Sequence, residues 1–299
     1  MKLAAIDIGS NAVRLLIAEI FELKDGYHTQ KVSFTRIPVR LGDDVFEYGA
    51  ISHQKAVQLV KVMRAFWYLM DVHNIEFFRA CATSAMREAS NSQEVIDLIQ
   101  KEANIKIEMI DGEEEADLIF SNFFVQKINH KDSYLYIDVG GGSTELTLIK
   151  KGERQKSKSF KIGTVRSLKG KVKKSQWDAV NKWLKEIRSE ENNLIGIATG
   201  GNINRLYKLS RRTFNENMSV KELEEIATYL SGFTYEERMY KIGLKPDRAD
   251  VIIPASEIYL RIVKMAGIKD LMVPKIGLSD GIVLSLYEEW KQTNLQKNN

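Results

Sequence analysis

The sequence predicts an α/β protein built twice over, two domains that each open on a strand running into a glycine turn. Three observations carry this expectation. The chain has 299 residues, 44% of them hydrophobic, enough for two ordinary cores. The stretch "YIDVGGGSTEL" (136–146) reads as a second copy of "AIDIGSNAVRL" (5–15): apolar run, Asp, one residue, glycine, small polar residues, apolar run. Strand-like and helical periods then alternate along much of the chain.

Taken in order, "KLAAIDI", "VRLLIAEIF" and "QKVSFTRIPVRL" are predicted strands, the second and third antiparallel neighbours. Ser52 to Asn74 has a helical period, with an apolar face of Ala56, Leu59, Val60, Met63, Phe66, Trp67 and Met70. "EFFRACA" is a strand. "NSQEVIDLIQKEAN" is a helix with Asn91 as N-cap and Glu94 three residues on, a capping-box pattern. The strand "IKIEMI" and a helix from about Gly112 to Ile128 complete the first half.

The second half repeats the order with "SYLYIDV" and a hairpin of "ELTLIKKGE" and "RQKSKSFKIG". A helix over Ser175–Glu190 follows, then the buried strand "LIGIAT" running into Gly200-Gly201. Helices are expected at Val220–Leu230, Tyr235–Ile242 and Val251–Ala266. "DLMVPKIGLSDG" gives a strand and turn, "IVLSLYEEWKQ" an amphipathic helix, and "TNLQKNN" a polar, frayed tail.

Composition narrows the function classes. No segment approaches the roughly 18 apolar residues of a membrane span, and the N-terminus lacks the apolar core of a signal peptide. Cys81 is the only cysteine, which excludes an internal disulfide or a Cys-cluster zinc site and fits a cytoplasmic location. His28, His53, His73 and His130 are scattered without ligand spacing, and neither a P-loop nor a protein-kinase motif set is present. The net charge is only +4, yet Lys150 to Lys174 holds eleven Lys or Arg against one acid, Glu153. Such a segment attracts polyanions, or serves as a solvated hairpin. Phe160 is its one aromatic residue, so nucleic acid is not an expected partner.

The turns carry the candidate chemistry. In "DVGGGSTE", Gly140, Gly141 and Gly142 let successive amides converge on an anion, and Ser143 and Thr144 add hydroxyls. Asp138 and Glu145 flank them and suit a hard cation such as Mg2+. "DIGSN" offers the same tools: Asp7 toward a metal or a water, and Gly9, Ser10 and Asn11 toward phosphate. Arg14 either reaches back to the turn or lies on a solvated strand face. In "ATSAMREASN", Thr83, Ser84 and Arg87 suit phosphate contact or helix capping equally well. In "DGEEEADLIF", Asp111 and Glu114 form a capping-box pattern, which leaves Glu115 unexplained and able to activate a water. "ATGGNINRL" is a third glycine turn, whose Gly200 and Gly201 could offer amides to a phosphate or a ribose. "GLSDG" (277–281) is a turn, either structural, a hinge or a further wall of a cleft.

The blocks "AIDIGSNAVRLLIAEI", "ATSAMREASN", "GEEEADLIF", "YIDVGGGSTELTLI", "KIGTVRSL" and "IATGGNINRL" resemble, in order, those of the exopolyphosphatase/guanosine pentaphosphate phosphohydrolase family. The resemblance implies the duplicated actin-like ATPase fold of sugar kinases, Hsp70 and actin, with ribonuclease H-like domains and a central cleft. Domain I would be 1–124 plus 286–299, and domain II 125–285. It makes Glu115 the catalytic base, Asp138 and Glu145 metal-linked acids, and Gly140 to Ser143 the phosphate loop. Arg87 matches an arginine on the phosphate chain, and Arg166 lies in a "G-x-V-R" block. The implied reaction is removal of the terminal phosphate of polyphosphate or guanosine pentaphosphate with Mg2+, or Mn2+ in its place, with K+ as a stimulating ion. Guanosine tetraphosphate as a ligand, a link to the stringent response and a homodimer belong to the same expectation. Asn202 stands where Thr is frequent and Ser279 where Arg is frequent in "GLRDG"; the chain matches the two-domain short form. Two other readings share these loops: an actin-fold kinase using ATP, and a non-catalytic sensor of polyphosphate or guanosine tetraphosphate.

Overall fold

The computed structural model describes residues 1–24, 26–124, 128–191, 193–213 and 216–297. The chain forms two compact units, Met1–Val125 with Gly277–Asn299, and Gln126–Ile276. The second passage into unit 1 thus begins at Gly277, where the sequence reading put it at 286.

Unit 1 runs β1 (Lys2–Ile8), β2 (Val13–Leu23), β3 (Gly26–Ile37), α1 (Leu41–Tyr48), α2 (His53–Val72), β4 (Phe77–Ala82), α3 (Ser84–Glu88), α4 (Ser92–Ala103), β5 (Ile107–Met109) and α5 (Gly112–Phe124). Unit 2 runs β6 (Ser133–Val139), β7 (Thr144–Lys150), β8 (Glu153–Phe160), α6 (Thr164–Leu168), α7 (Lys174–Glu190), β9 (Leu194–Thr199), α8 (Gly201–Leu209), β10 (Met218–Ser219), α9 (Val220–Ser231), α10 (Tyr235–Tyr240), α11 (Pro246–Ala249), α12 (Ile252–Ala266) and β11 (Asp270–Met272). The closing helix α13 (Leu278–Lys297) belongs to unit 1.

The duplication is real and can be read strand by strand. The first sheet has the order β3-β2-β1-β4-β5; the second, read from β8, has β8-β7-β6-β9-β11 with β10 added at the far edge. In each, the first three strands are antiparallel, and the first strand then pairs in parallel with the next one beyond a helix. This is the ribonuclease H-like order of actin-like domains. β1 and β6 are central strands, which is why "LAAIDI" and "YLYIDV" are apolar on both faces.

Several local expectations change. "PVRL" is not the end of β3: the strand stops at Ile37, and Arg40, in the left-handed region at φ 58°, turns the chain into α1. Trp67 lies off the buried face of α2 at 39% exposure, while Phe66 beside it is fully buried. Asn91 does not cap α4 with its side chain. It exchanges two hydrogen bonds with the Ile51 backbone, both 2.9 Å, and ties two loops together. "GLSDG" opens α13 rather than forming a turn, and α13 runs on through Thr293 to Lys297. The helix expected to Ile128 ends at Phe124; residues 125–127 lie outside the described residues, as do 298 and 299 of the expected tail. Among the described residues, no helix is long and apolar enough to cross a membrane.

Candidate active site

The first glycine turn is a four-residue loop, 9–12, set by the register Ile8↔Val13 and Asp7↔Arg14. The Gly9 amide donates to the Ala12 carbonyl at 3.1 Å and closes the turn. Behind it, Gly42 and Arg40 at the start of α1 donate to the carbonyls of Ser10 and Asn11, at 2.8 and 3.0 Å. Arg14 does not sit on a solvated face: its guanidinium pairs with the buried carboxylate of Asp7. The Ser10 hydroxyl is buried and has no partner among the described residues.

The second turn repeats this frame residue for residue. Its loop is 140–143, its register Val139↔Thr144 and Asp138↔Glu145, and its closing bond Gly140 N–H to Ser143 carbonyl at 2.9 Å. The helix after the third strand again holds it from behind. Thr164 donates to Gly140 at 3.0 Å, and Val165 and Arg166 donate to Gly141 at 2.9 and 3.1 Å. The buried Arg166 adds Nε to the Gly142 carbonyl at 2.8 Å, so in this structure it anchors the loop. Thr144 likewise turns inward, donating to the Ile162 carbonyl at 2.6 Å. Carbonyls pinned from one side leave amides for another use. Among the described residues, those of Ser10 and Ala12, and of Gly141, Gly142 and Ser143, make no backbone hydrogen bond.

The two loops differ in what faces the acid. Asp7 faces Arg14, whereas Asp138 faces Glu145. Glu145 is 1% exposed and accepts from the Ser159 hydroxyl at 2.8 Å. Two carboxylates held opposite each other at one hairpin are costly to bury without a cation, and their oxygens are the donors Mg2+ prefers. The residues present in unit 2 therefore fit a hard divalent ion; Asp7 is already paired with a cation.

Glu115 stands in the first turn of α5. Asp111 accepts from the amides of Glu113 and Glu114 at 2.9 and 2.8 Å, which caps the helix. Those hydrogen bonds, Glu114's first, hold its carboxyl below the usual range against slight desolvation. The reciprocal half of the capping box is missing, because the Glu114 side chain goes to Arg79 at 2.8 Å. Glu115 is nearly buried and lies 3.5 Å from Arg87, whose Nη1 also donates to the Ile110 carbonyl. Arg87 and Glu115, distant in sequence, are thus brought together. The depth of α5 is set by Gly281 of α13, where a Cβ would fall 1.8 Å from the Leu118 carbonyl oxygen.

The third turn is built differently. Gly200 sits at φ 115°, and a Cβ there would meet the Tyr259 hydroxyl at 3.1 Å and Asp138 Oδ1 at 3.2 Å. Gly201 lies under the Arg248 guanidinium, which donates to Asn202 Oδ1 at 2.8 Å. Sequence reasoning passed over Thr199, whose hydroxyl donates to Asp138 Oδ1 at 3.0 Å, and Tyr136, whose hydroxyl meets that of Thr199. Burial first, then the Asp138 carboxylate, push the hydroxyls of Tyr136 and Tyr259 well above the ordinary tyrosine value. The signal for these residues was the parallel register Asp138↔Thr199, which no single stretch of sequence displays.

A bifunctional 3-dehydroquinate synthase/phosphatase of Fusobacterium nucleatum is 29% identical over 95% of this chain, which spans 46% of that protein's length. Exopolyphosphatase 2 of Mycobacterium tuberculosis is 26% identical, with 95% of this chain and 98% of that one covered. The crystal structure of an exopolyphosphatase from Cytophaga hutchinsonii superposes with a TM-score of 0.81 at 25% identity, covering 97% of this chain and 98% of that one. The model of the Ppx/GppA phosphatase family matches residues 19–289, a span that takes in the whole of the second sheet with its glycine loop, and the chain belongs to that family.

Proposed function

We propose that this chain is a phosphoanhydride hydrolase that removes the terminal phosphate of inorganic polyphosphate, and of guanosine pentaphosphate as a second substrate, in the cytoplasm. The observation that carries the reading is the pair of equivalent glycine loops, one of which holds two opposed acids, in a chain of the Ppx/GppA family. Polyphosphate comes first because a relative and a solved structure that match this chain over nearly their whole length are named exopolyphosphatases.

Each residue then has a task. Asp138 and Glu145 would hold Mg2+, which when bound offsets charge on the phosphate oxygens. The loop amides of Gly141, Gly142 and Ser143 offer donors to the negative charge of the phosphoryl group, and the first loop carries equivalent anion donors in the amides of Ser10 and Ala12. Arg87 contributes a planar cation for the chain, and Glu115 takes the proton from the attacking water. Arg166 keeps the second loop in shape.

The test is phosphate release from long-chain polyphosphate, tripolyphosphate and guanosine pentaphosphate with Mg2+, for the native protein and Glu115→Gln. Release that falls by about 10²-fold or more in the variant supports a water-activating Glu115. Absence of release from all three substrates, with polyphosphate binding intact in both proteins, overturns the hydrolase reading in favour of a sensor.

A further inference from the structure

We propose that Thr199 and Tyr136 form a hydroxyl relay that positions the Asp138 carboxylate, which makes the third glycine turn an orienting element of unit 2. The inference rests on the reading above, in which Asp138 holds a divalent cation.

The direction of the relay follows from its chemistry. A carboxylate only accepts, so the single hydroxyl proton of Thr199 goes to Asp138 Oδ1 at 3.0 Å. Thr199 Oγ1 is then the acceptor for Tyr136, whose hydroxyl has one proton to give. Both donors are fixed. Thr199 is fully buried and Tyr136 is 3% exposed, and the Tyr259 hydroxyl donates to the Thr199 carbonyl and holds its backbone. Gly200 completes the arrangement by leaving out the side chain that would press on Asp138 and Tyr259.

The duplicated frame supplies an internal control. Asp7 sits beside Cys81 in the parallel register of β1 and β4, as Asp138 sits beside Thr199 in that of β6 and β9. Ala5, two residues before Asp7, stands where Tyr136 stands before Asp138. The unit whose acid is paired with an arginine has neither hydroxyl, and the unit whose acid faces a second acid has both. Groups that orient a ligand carboxylate from behind typically change metal affinity about 10- to 100-fold when removed.

The experiment is calorimetric titration of Mn2+ and Mg2+ into the full-length protein, with Asp138→Asn, Thr199→Val, Thr199→Ser and Tyr136→Phe, alongside thermal melting of each. We expect Thr199→Val to weaken Mn2+ binding about 10- to 100-fold, Thr199→Ser to stay within about threefold of the native protein, and Tyr136→Phe to fall between them. Native affinity in Thr199→Val, with binding lost in Asp138→Asn, overturns the relay and leaves the proposed function standing. Native affinity in Asp138→Asn overturns both. Equal losses in Thr199→Ser and Thr199→Val assign the effect to packing and also overturn the relay. If Thr199→Val melts before it can be titrated, Tyr136→Phe decides: an undiminished affinity there ends the proposal.

Discussion

Gly163 gives the sharpest test of how the second loop is held. Its backbone is extended, at φ −144° and ψ 163°, a conformation open to any residue. Alanine there therefore carries no backbone penalty, and its effect is purely one of space. The added Cβ would lie 2.4 Å from the Gly141 oxygen and from the Gly142 nitrogen and carbonyl carbon. Ordinary contacts begin near 3.4 Å, so loop and α6 must separate by about 1 Å. All three obstacles are backbone, and none can rotate away. The separation strains the bonds from Thr164, Val165 and Arg166 that pin the loop carbonyls. Overpacking of this kind costs about 2 kcal/mol, which for a folding unit the size of Gln126–Ile276 lowers the melting temperature by about 4–8 °C. A loop misplaced by about 1 Å costs about 10²-fold in rate. Gly170 is the matched control: at φ 65° with nothing within 4 Å of its Cβ position, it has a backbone need and no spatial one. Gly170→Ala should lose about 1–2 kcal/mol and keep its phosphate release. Native melting and native phosphate release in Gly163→Ala would refute the reasoning.

Two further outcomes follow from α5. Gly281→Ala puts a Cβ 1.8 Å from the Leu118 oxygen, one turn beyond Glu115; we expect a clear drop in melting temperature and about 10²-fold slower phosphate release, read from the same two assays. Asp111→Ala removes the helix cap and should destabilise by about 1 kcal/mol at neutral pH, measured by urea denaturation. The native carboxyl titrates below its ordinary value of 3.8, so the stability it adds is present above that pH and lost as pH falls through the lower folded value. The gap between native protein and variant should therefore close below about pH 4, and a gap that persists in acid would exclude a charge-dependent cap.

Central strands and glycine turns were legible because their causes are local. "AIDIG" and "YIDVG" are buried on both faces and end where a small-residue turn must follow, and both facts are written in consecutive residues. The duplication was visible for the same reason. Features settled by distant partners were not legible. Asn91 has the sequence context of a cap, but the free backbone of Ile51 competes for its side chain and wins. Glu114 has capping spacing, but Arg79 on a neighbouring strand offers a charged partner in place of a neutral amide. α1 was hidden because its entry depends on a left-handed Arg40, a conformation that arginine rarely signals. In the candidate site, residue types at the turns could be named from sequence. Only the sheet register revealed that Arg14 neutralises Asp7 and that Thr199 stands behind Asp138.

The equivalence of the two hairpins has a consequence for how such a chain diverges. Once a strand–loop–strand frame has been copied, its shape is maintained by backbone bonds and glycines that ask little of the remaining side chains. The electrical character of each copy is then decided at two places, the residue across the hairpin and the residue on the parallel neighbour. Here those places read Arg14 and Cys81 in one half, Glu145 and Thr199 in the other. Inheritance of the frame and specialisation of its halves are thereby separable, and a handful of substitutions can invert the sign of a loop without rebuilding it.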